Sequence, residues 1–389
     1  MREWVDGASP GRWSELATGS EGLGAATSPA VRTSANVLLT REARVPLEES
    51  DLPFDAALPG LALLCDPPRL RATLAPVLPR WRGPGAELLE SRAYLRRLVP
   101  SKRCTVELEL LIGHGNGAVA ERQRLLAKVY GESWSTTLFE TLRELRRHGF
   151  GTGSLLVSEP LVYLPGPRLL LSTWTEGEPL ASLLHAGRDA DAEVRGAAEW
   201  LLALGQCGVR TGRRYSLRRH LHTLAGWKEL LARAFPEGER LLTELMARFE
   251  EQSRSLPRFV LRPTHRDFSP EHIVVNGERI TGLDLDEFCQ YDPLFDVAHF
   301  VAQLRFLGLA HFGRLDHFDS LAQRFRATYE AGASSYLSER RLRLYEAIAY
   351  FKLGRFVALV PWSDGHLVRR PQGWREILPE LLNEARRRL

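Results

Sequence analysis

Two aspartates, Asp267 and Asp284, stand 17 residues apart, one on either side of two short apolar runs at 273–275 and 280–283. Between the runs, Asn276-Gly277 is a strong two-residue hairpin signal. A hairpin of this length brings its ends together, so both carboxylates can face one pocket. There, one carboxylate can accept a proton from a hydroxyl group. The other can hold Mg2+, which prefers hard oxygen ligands. Without that context the pair would be two unrelated turn aspartates.

The surrounding composition is that of a folded chain. Its 389 residues are 44% hydrophobic and 26% charged, enough to bury a core without staples. Lys plus Arg number 52 against 48 Asp plus Glu. The small excess is spread out, with no basic block interleaved with aromatics, which argues against a nucleic-acid partner. Cys65, Cys104, Cys207 and Cys289 are far apart and lack metal-ligand spacing, so they read as free thiols in a reducing compartment. The first residues carry no apolar signal region, and no run is long enough to span a membrane. The expectation is a cytoplasmic protein without a membrane partner. Lysine occurs only at 102, 128, 228 and 352. Arginine therefore serves for generic surface charge, and a lysine inside an apolar strand is less readily filler.

The elements that would position the two aspartates can be read from pattern. Residues 1–45, rich in Gly, Ser, Ala and Thr, read as a mobile tail or a loosely docked extension. Residues 52–78 are helical and punctuated by prolines. Strands are expected at 93–99, 104–110 and 124–130 as an antiparallel meander, with a hairpin loop at 113–117. A helix from Ser135 or Thr136 to near Gly149 follows, then strands at 154–158 and 168–174 and a linker at 175–179. Beyond it come amphipathic helices at 192–204, 216–235 and 237–252, the hairpin unit at 258–286, and helices from 296 to 389. The fold class is therefore α+β in two lobes: a β-rich lobe at 46–174 and a mostly helical lobe at 175–389.

The stretch Thr264-His265-Arg266-Asp267, the run ending in Asp284, and Asp292-Pro293-Leu294-Phe295-Asp296 together carry a resemblance. They resemble the catalytic loop and metal segment of the protein-kinase-like superfamily, and more closely its aminoglycoside phosphotransferase branch of small-molecule kinases. The likeness covers roughly residues 90 to 310. It implies a protein-kinase-like fold, with an antiparallel-sheet N-lobe for nucleotide and a C-lobe carrying the catalytic loop, metal site and acceptor helices. It also implies transfer of the γ-phosphoryl group of ATP, with Mg2+ or Mn2+, to a hydroxyl of a small molecule. Such transfer needs positioning and charge neutralisation more than covalent chemistry. Asp267 would be the base and Asp284 a metal ligand.

The resemblance also distributes supporting roles. His265 would be buried and structural, Arg266 would form an ion pair, and Asp296 would brace the loop from a helix start, where a carboxylate is also favoured by the helix dipole. Lys128 would meet nucleotide phosphates, held by Glu140, with Glu144 on the same face as the alternative. The turn containing Ser101 and Lys102 would cover the phosphates, although it lacks a glycine-rich signature. Residues 171–175, including Thr173 and Trp174, would be the hinge against adenine. The position five residues after Asp267 should be Asn but is His272. Imidazole suits Mg2+ poorly. The site could work through Asp284 alone, could recruit His272 or Asp286 as a further ligand, or could be impaired. The last possibility makes a nucleotide-binding pseudokinase, acting as a sensor or scaffold, the alternative. Only seven residues separate Asp284 from Asp292, with no Ala-Pro-Glu-like motif, which favours a small substrate over a protein. The Arg-rich C-terminus gives no acidic lining for a polycationic acceptor.

Overall fold

The computed structural model describes residues 37–38, 45–47, 55–115, 119–131, 135–333, 336–359 and 373–389. Two short strands, β1 (Val37–Leu38) and β2 (Val45–Pro46), pair with a long strand, β3 (Ala86–Val99). Part of the expected N-terminal extension thus adds to a sheet edge. Three helices lead into β3: α1 (Pro59–Leu64), α2 (Pro67–Leu74) and α3 (Pro79–Arg82). Each starts on a proline, whose fixed φ and missing N–H suit the first helical position.

β3, β4 (Arg103–His114) and β5 (Glu121–Tyr130) form the antiparallel meander. All three run longer than the apolar alternation predicts: charged residues continue the pairing in β3 and β5, and Leu111 and buried Ile112 continue it in β4. Gly113 and His114 belong to β4, while 116 and 117 of the expected loop lie outside the described residues. Helix α4 (Ser135–Leu145) follows and its last turn ends at Gly149, whose φ of 106° favours glycine.

Next come β6 (Leu155–Val157), β7 (Pro160–Leu164) and β8 (Leu169–Thr173). β8 pairs with β5 and β7 closes the sheet at its far edge. The sequence reading missed β7. Its Pro160 argues against a central strand, but at a sheet edge a proline need not break a ladder bond. β6, expected with the first sheet, instead pairs in parallel with the hairpin strand at 279–282.

That hairpin belongs to the helical half. β9 (Glu178–Pro179), inside the expected linker, leads to α5 (Leu180–His185), α6 (Asp191–Gln206), β10 (Arg213–Arg214), α7 (Leu217–Ala234) and α8 (Glu239–Arg254). Ser216 caps α7 by accepting from Arg219 N–H at 3.2 Å. Then come β11 (Arg262–Thr264), β12 (Ile273–Asn276), β13 (Arg279–Gly282) and β14 (Cys289–Tyr291). β12 pairs with β13 and β9, and β14 lies between β10 and β11. Asn276 faces Arg279 across the hairpin, so the turn residues are Gly277 and Glu278, one place beyond the predicted pair. Gly277 supplies the positive φ, 59°.

Helices α9 (Leu294–Phe312), α10 (Asp319–Gly332), α11 (Glu339–Leu359) and α12 (Trp374–Arg388) complete the chain. One apolar cluster sits under the first sheet and a larger one fills the helical half. Cys104, Cys207 and Cys289 are free thiols. Among the described residues no helix is long and apolar enough to cross a membrane.

Candidate active site

The loop between β11 and β12 is shaped from beneath. Asp296, in the first turn of α9, accepts the backbone N–H of His265 at 2.6 Å and of Arg266 at 2.7 Å. Arg266 takes a φ of 68°, which turns the chain sharply. Its guanidinium lies over the Tyr215 ring at 3.5 Å and reaches Glu287 at 3.4 Å. Phe268 stacks on Trp200, with centroids 5.4 Å apart, inside the core. Trp200 in turn donates its indole N–H to Leu156 O of β6 at 2.9 Å. The packing therefore ties the loop to the hairpin sheet.

His265 makes the second tie. It is fully buried, and burial lowers its pKa to about 4, so the ring is neutral. Its Nδ1 accepts Asp267 N–H at 3.4 Å, and its Nε2 therefore carries the proton it shares with Leu283 O at 2.8 Å. One imidazole thus joins the backbones beside both aspartates.

The Asp267 side chain is one-third exposed. Its Oδ1 accepts from Lys352 Nζ of α11 at 2.7 Å and lies 3.3 Å from His299 Nε2 of α9. Burial alone would raise this carboxyl, but the Lys352 ammonium, helped by His299 and His272, holds it well below the usual carboxylate range. The sequence reading missed Lys352 and His299 as site residues. The scarcity of lysine was the one signal that could have singled out Lys352.

Asp284 follows β13 in a left-handed conformation, φ 55° and ψ 53°. Such backbone is costly for a residue other than glycine and persists where surrounding contacts impose it. Its Oδ1 accepts from Lys128 Nζ at 2.7 Å and lies 3.5 Å from Arg103 Nη1. Its Oδ2 faces His272 Nε2 at 3.6 Å. Burial would raise this carboxyl too, but Lys128, Arg103 and His272 hold it well below its ordinary value.

His272 occupies the space between the two aspartates. Its Nδ1 is 2.7 Å from the backbone carbonyl of Asp267 and 3.9 Å from Asp267 Oδ2. The carbonyl can only accept, so Nδ1 carries a proton, and Nε2 is the ring nitrogen turned toward Asp284.

Asp286 is almost wholly buried and both its oxygens are engaged. Oδ1 accepts from Lys128 Nζ at 2.9 Å and from Tyr130 OH at 3.1 Å, while Oδ2 accepts from Arg103. These bonds change the expected partner of Lys128. Glu140 sits on the exposed face of α4, and Glu144 pairs with Arg147. Lys128 is held by Asp284 and Asp286 instead, because the segment after β13 brings two carboxylates closer than the helix does.

The remaining expected residues are placed as follows. Ser101 N–H donates to Asp55 Oδ2 at 2.6 Å, and Lys102 N–H donates to Val99 O at 3.0 Å. Thr173 exchanges hydrogen bonds with the backbone of Glu159. Trp174 lies against the guanidiniums of Arg96 and Arg124, 5.5 and 4.4 Å from its ring centroid. Of the C-terminal arginines, Arg369 and Arg370 lie outside the described residues. Arg387 and Arg388 pair with Glu384.

A two-lobed chain with such a loop and hairpin defines the class of small-molecule phosphotransferases with a protein-kinase-like fold. The model of the phosphotransferase enzyme family matches residues 137–345, more than half of the chain, and the protein belongs to that family. No curated protein matches it. Among solved structures it resembles a spectinomycin phosphotransferase in complex with ADP and spectinomycin, at 11% identity and a TM-score of 0.51, covering 83% of this chain and 94% of that one. It is similar to an aminoglycoside phosphotransferase, a thermostable mutant in apo form, at 15% identity and a TM-score of 0.51, covering 80% and 97%. A choline kinase from Cryptosporidium parvum Iowa II matches at 11% identity and a TM-score of 0.51, covering 82% and 94%.

Proposed function

We propose that this protein moves the γ-phosphoryl group of ATP to a hydroxyl of a small molecule in the cytoplasm. The lobe at 46–174 holds the nucleotide and the lobe at 175–389 holds the acceptor. The observation that carries this reading is the convergence of both carboxylates on His272, at 3.9 and 3.6 Å, where Lys128 also arrives. In the reaction the acceptor oxygen forms a bond to the γ-phosphorus, the bond to the ADP oxygen breaks, and the hydroxyl proton passes to Asp267. A carboxylate held ionised is a weak base. It orients the hydroxyl first and takes the proton once the new bond has made that proton acidic, as suits a loose transition state.

The side chains fit a divalent cation in part. Among the described residues no group of three or more His, Cys, Asp or Glu stands together as a metal site. Asp284 Oδ2 and His272 Nε2 are the two donors that would hold the ion. This suits a metal that takes one or two protein ligands and fills the rest from phosphates and water. When bound, it would neutralise charge on the β- and γ-phosphate oxygens. Asp286 serves better as the counter-charge of Lys128 and Arg103 than as a ligand. The spectinomycin phosphotransferase with ADP, and an amicoumacin kinase in complex with AMP-PNP and Ca2+, lend support by analogy.

His272, together with the cations already paired to Asp284, favours a second reading as a nucleotide-binding protein without turnover. A metabolite-library phosphorylation screen with Mg2+ and with Mn2+, read by mass spectrometry, separates the two. Turnover that vanishes in Asp267→Asn and Asp284→Asn supports the kinase. ATP binding without turnover across the panel supports the sensor or scaffold.

A further inference from the structure

We infer that Arg97 and Arg103, two side chains of the β3–β4 hairpin, grip the nucleotide's phosphates in place of backbone amides; this rests on the nucleotide reading above. The hairpin turn has little free backbone to offer. The Ser101 N–H is taken by Asp55 and the Lys102 N–H by Val99 O. Gly131 packs against Ser101 O so closely that a Cβ there would come within 2.2 Å of it, which fixes the turn further. Nothing in the turn resembles a loop of open amides.

The sheet register supplies a substitute. Arg97 pairs with Thr105, and Thr105 pairs with Lys128. Directly paired residues share a face, so Arg97 and Lys128 point to the same side, about 10 Å apart across two strand spacings. Arg103, two residues before Thr105, shares that side. Its guanidinium reaches Asp284 and Asp286. Three cations therefore line the surface that faces the two carboxylates, across a span that a triphosphate chain can fill.

Arg97 is the informative member. Its Nε is buried without a hydrogen-bond partner; burial and the neighbouring Arg103 guanidinium disfavour its charge more than Asp284, Asp267 and Glu271 favour it, so the charge lacks compensation. Lys128 and Arg103 already have carboxylates; Arg97 is a desolvated cation awaiting an anion. A guanidinium is suited to this task, because its planar fork matches phosphate oxygens two at a time. A bound triphosphate would satisfy Arg97 and draw Arg103 and Lys128 from Asp284, leaving that carboxylate free for a cation.

The test is calorimetric titration of the full chain with ATP, adenosine and inorganic tripolyphosphate. The wild type is compared with Arg97→Gln, Arg97→Lys and Arg103→Lys. We expect Arg97→Gln to weaken ATP and tripolyphosphate at least 10-fold while adenosine stays within twofold, which also reports an intact fold. Arg97→Lys and Arg103→Lys, which keep charge but lose the fork, should each weaken ATP at least threefold. If ATP binds all three variants as it binds the wild type, or if ATP and adenosine weaken together in every folded variant, the grip is wrong and the nucleotide reading stands. If the wild type binds no ATP, both readings fall.

Discussion

Lys352 donates a hydrogen bond to Asp267 Oδ1 at 2.7 Å from a helix 85 residues further along the chain. The ammonium keeps the carboxylate ionised and fixes which of its oxygens remains open. Oδ1 is occupied, so the open oxygen is Oδ2, on the side of His272, where the proposed reaction would place the acceptor hydroxyl.

Replacing this lysine separates charge from shape. Lys352→Met removes the charge that lowers Asp267, so the carboxyl pKa rises and the ionised form is lost at higher pH. The acid limb of the kcat/KM profile should move upward, with a rate loss of about 10- to 100-fold near neutrality, or about 1.4–2.7 kcal/mol of barrier. A profile with an unmoved acid limb would show that Lys352 is only a packing residue.

His272→Asn should leave Mg2+-dependent turnover equal to or above the wild type. The amide oxygen is a harder donor than imidazole nitrogen, and Asp284 keeps its place through Lys128. Turnover compared in Mg2+ and Mn2+ checks this. A loss above about 100-fold, roughly 2.7 kcal/mol, would assign His272 a positive role of its own.

Gly282 ends β13 two residues before Asp284. A Cβ at this position would come within 2.1 Å of Trp200 Cζ2. The indole is held by its hydrogen bond to Leu156 and by Phe268, so it cannot swing aside. Gly282→Ala should cost about 1–3 kcal/mol in urea unfolding. Adding Trp200→Phe should recover part of that loss; if it recovers none, the clash is not with the indole.

Two buried histidines should each withdraw stability as acid rises, against Asp296, whose carboxyl burial pushes up to about 7 and which works the other way. His299 is fully buried with its pKa lowered to about 4, and burial also places His220 well below its ordinary value. In the unfolded chain both titrate near 6.5. Between those values the unfolded state binds more protons at these two sites, so their contribution is present above about pH 6.5 and declines as pH falls toward 4. Each histidine contributes a slope of up to about 1.4 kcal/mol per pH unit. Urea midpoints between pH 7 and pH 4.5 measure it, and His220→Phe should flatten the decline.

The local order of residues determined much of this molecule. Asp267, the hairpin and Asp284 lie within a short segment, and a hairpin closes its own ends whatever packs around it. His265, Arg266 and Asp296 were legible through the resemblance their motif carries, and Asp296, 30 residues on from Arg266, does accept the loop amides. Tertiary structure decided the partners of the charges. Lys128 pairs with Asp284 and Asp286 across 156 and 158 residues rather than with Glu140, and Asp267 meets Lys352 and His299. No period or spacing encodes such pairs. A long charged side chain goes to whichever opposite charge the packing brings within reach under low dielectric, and that depends on how the two halves meet.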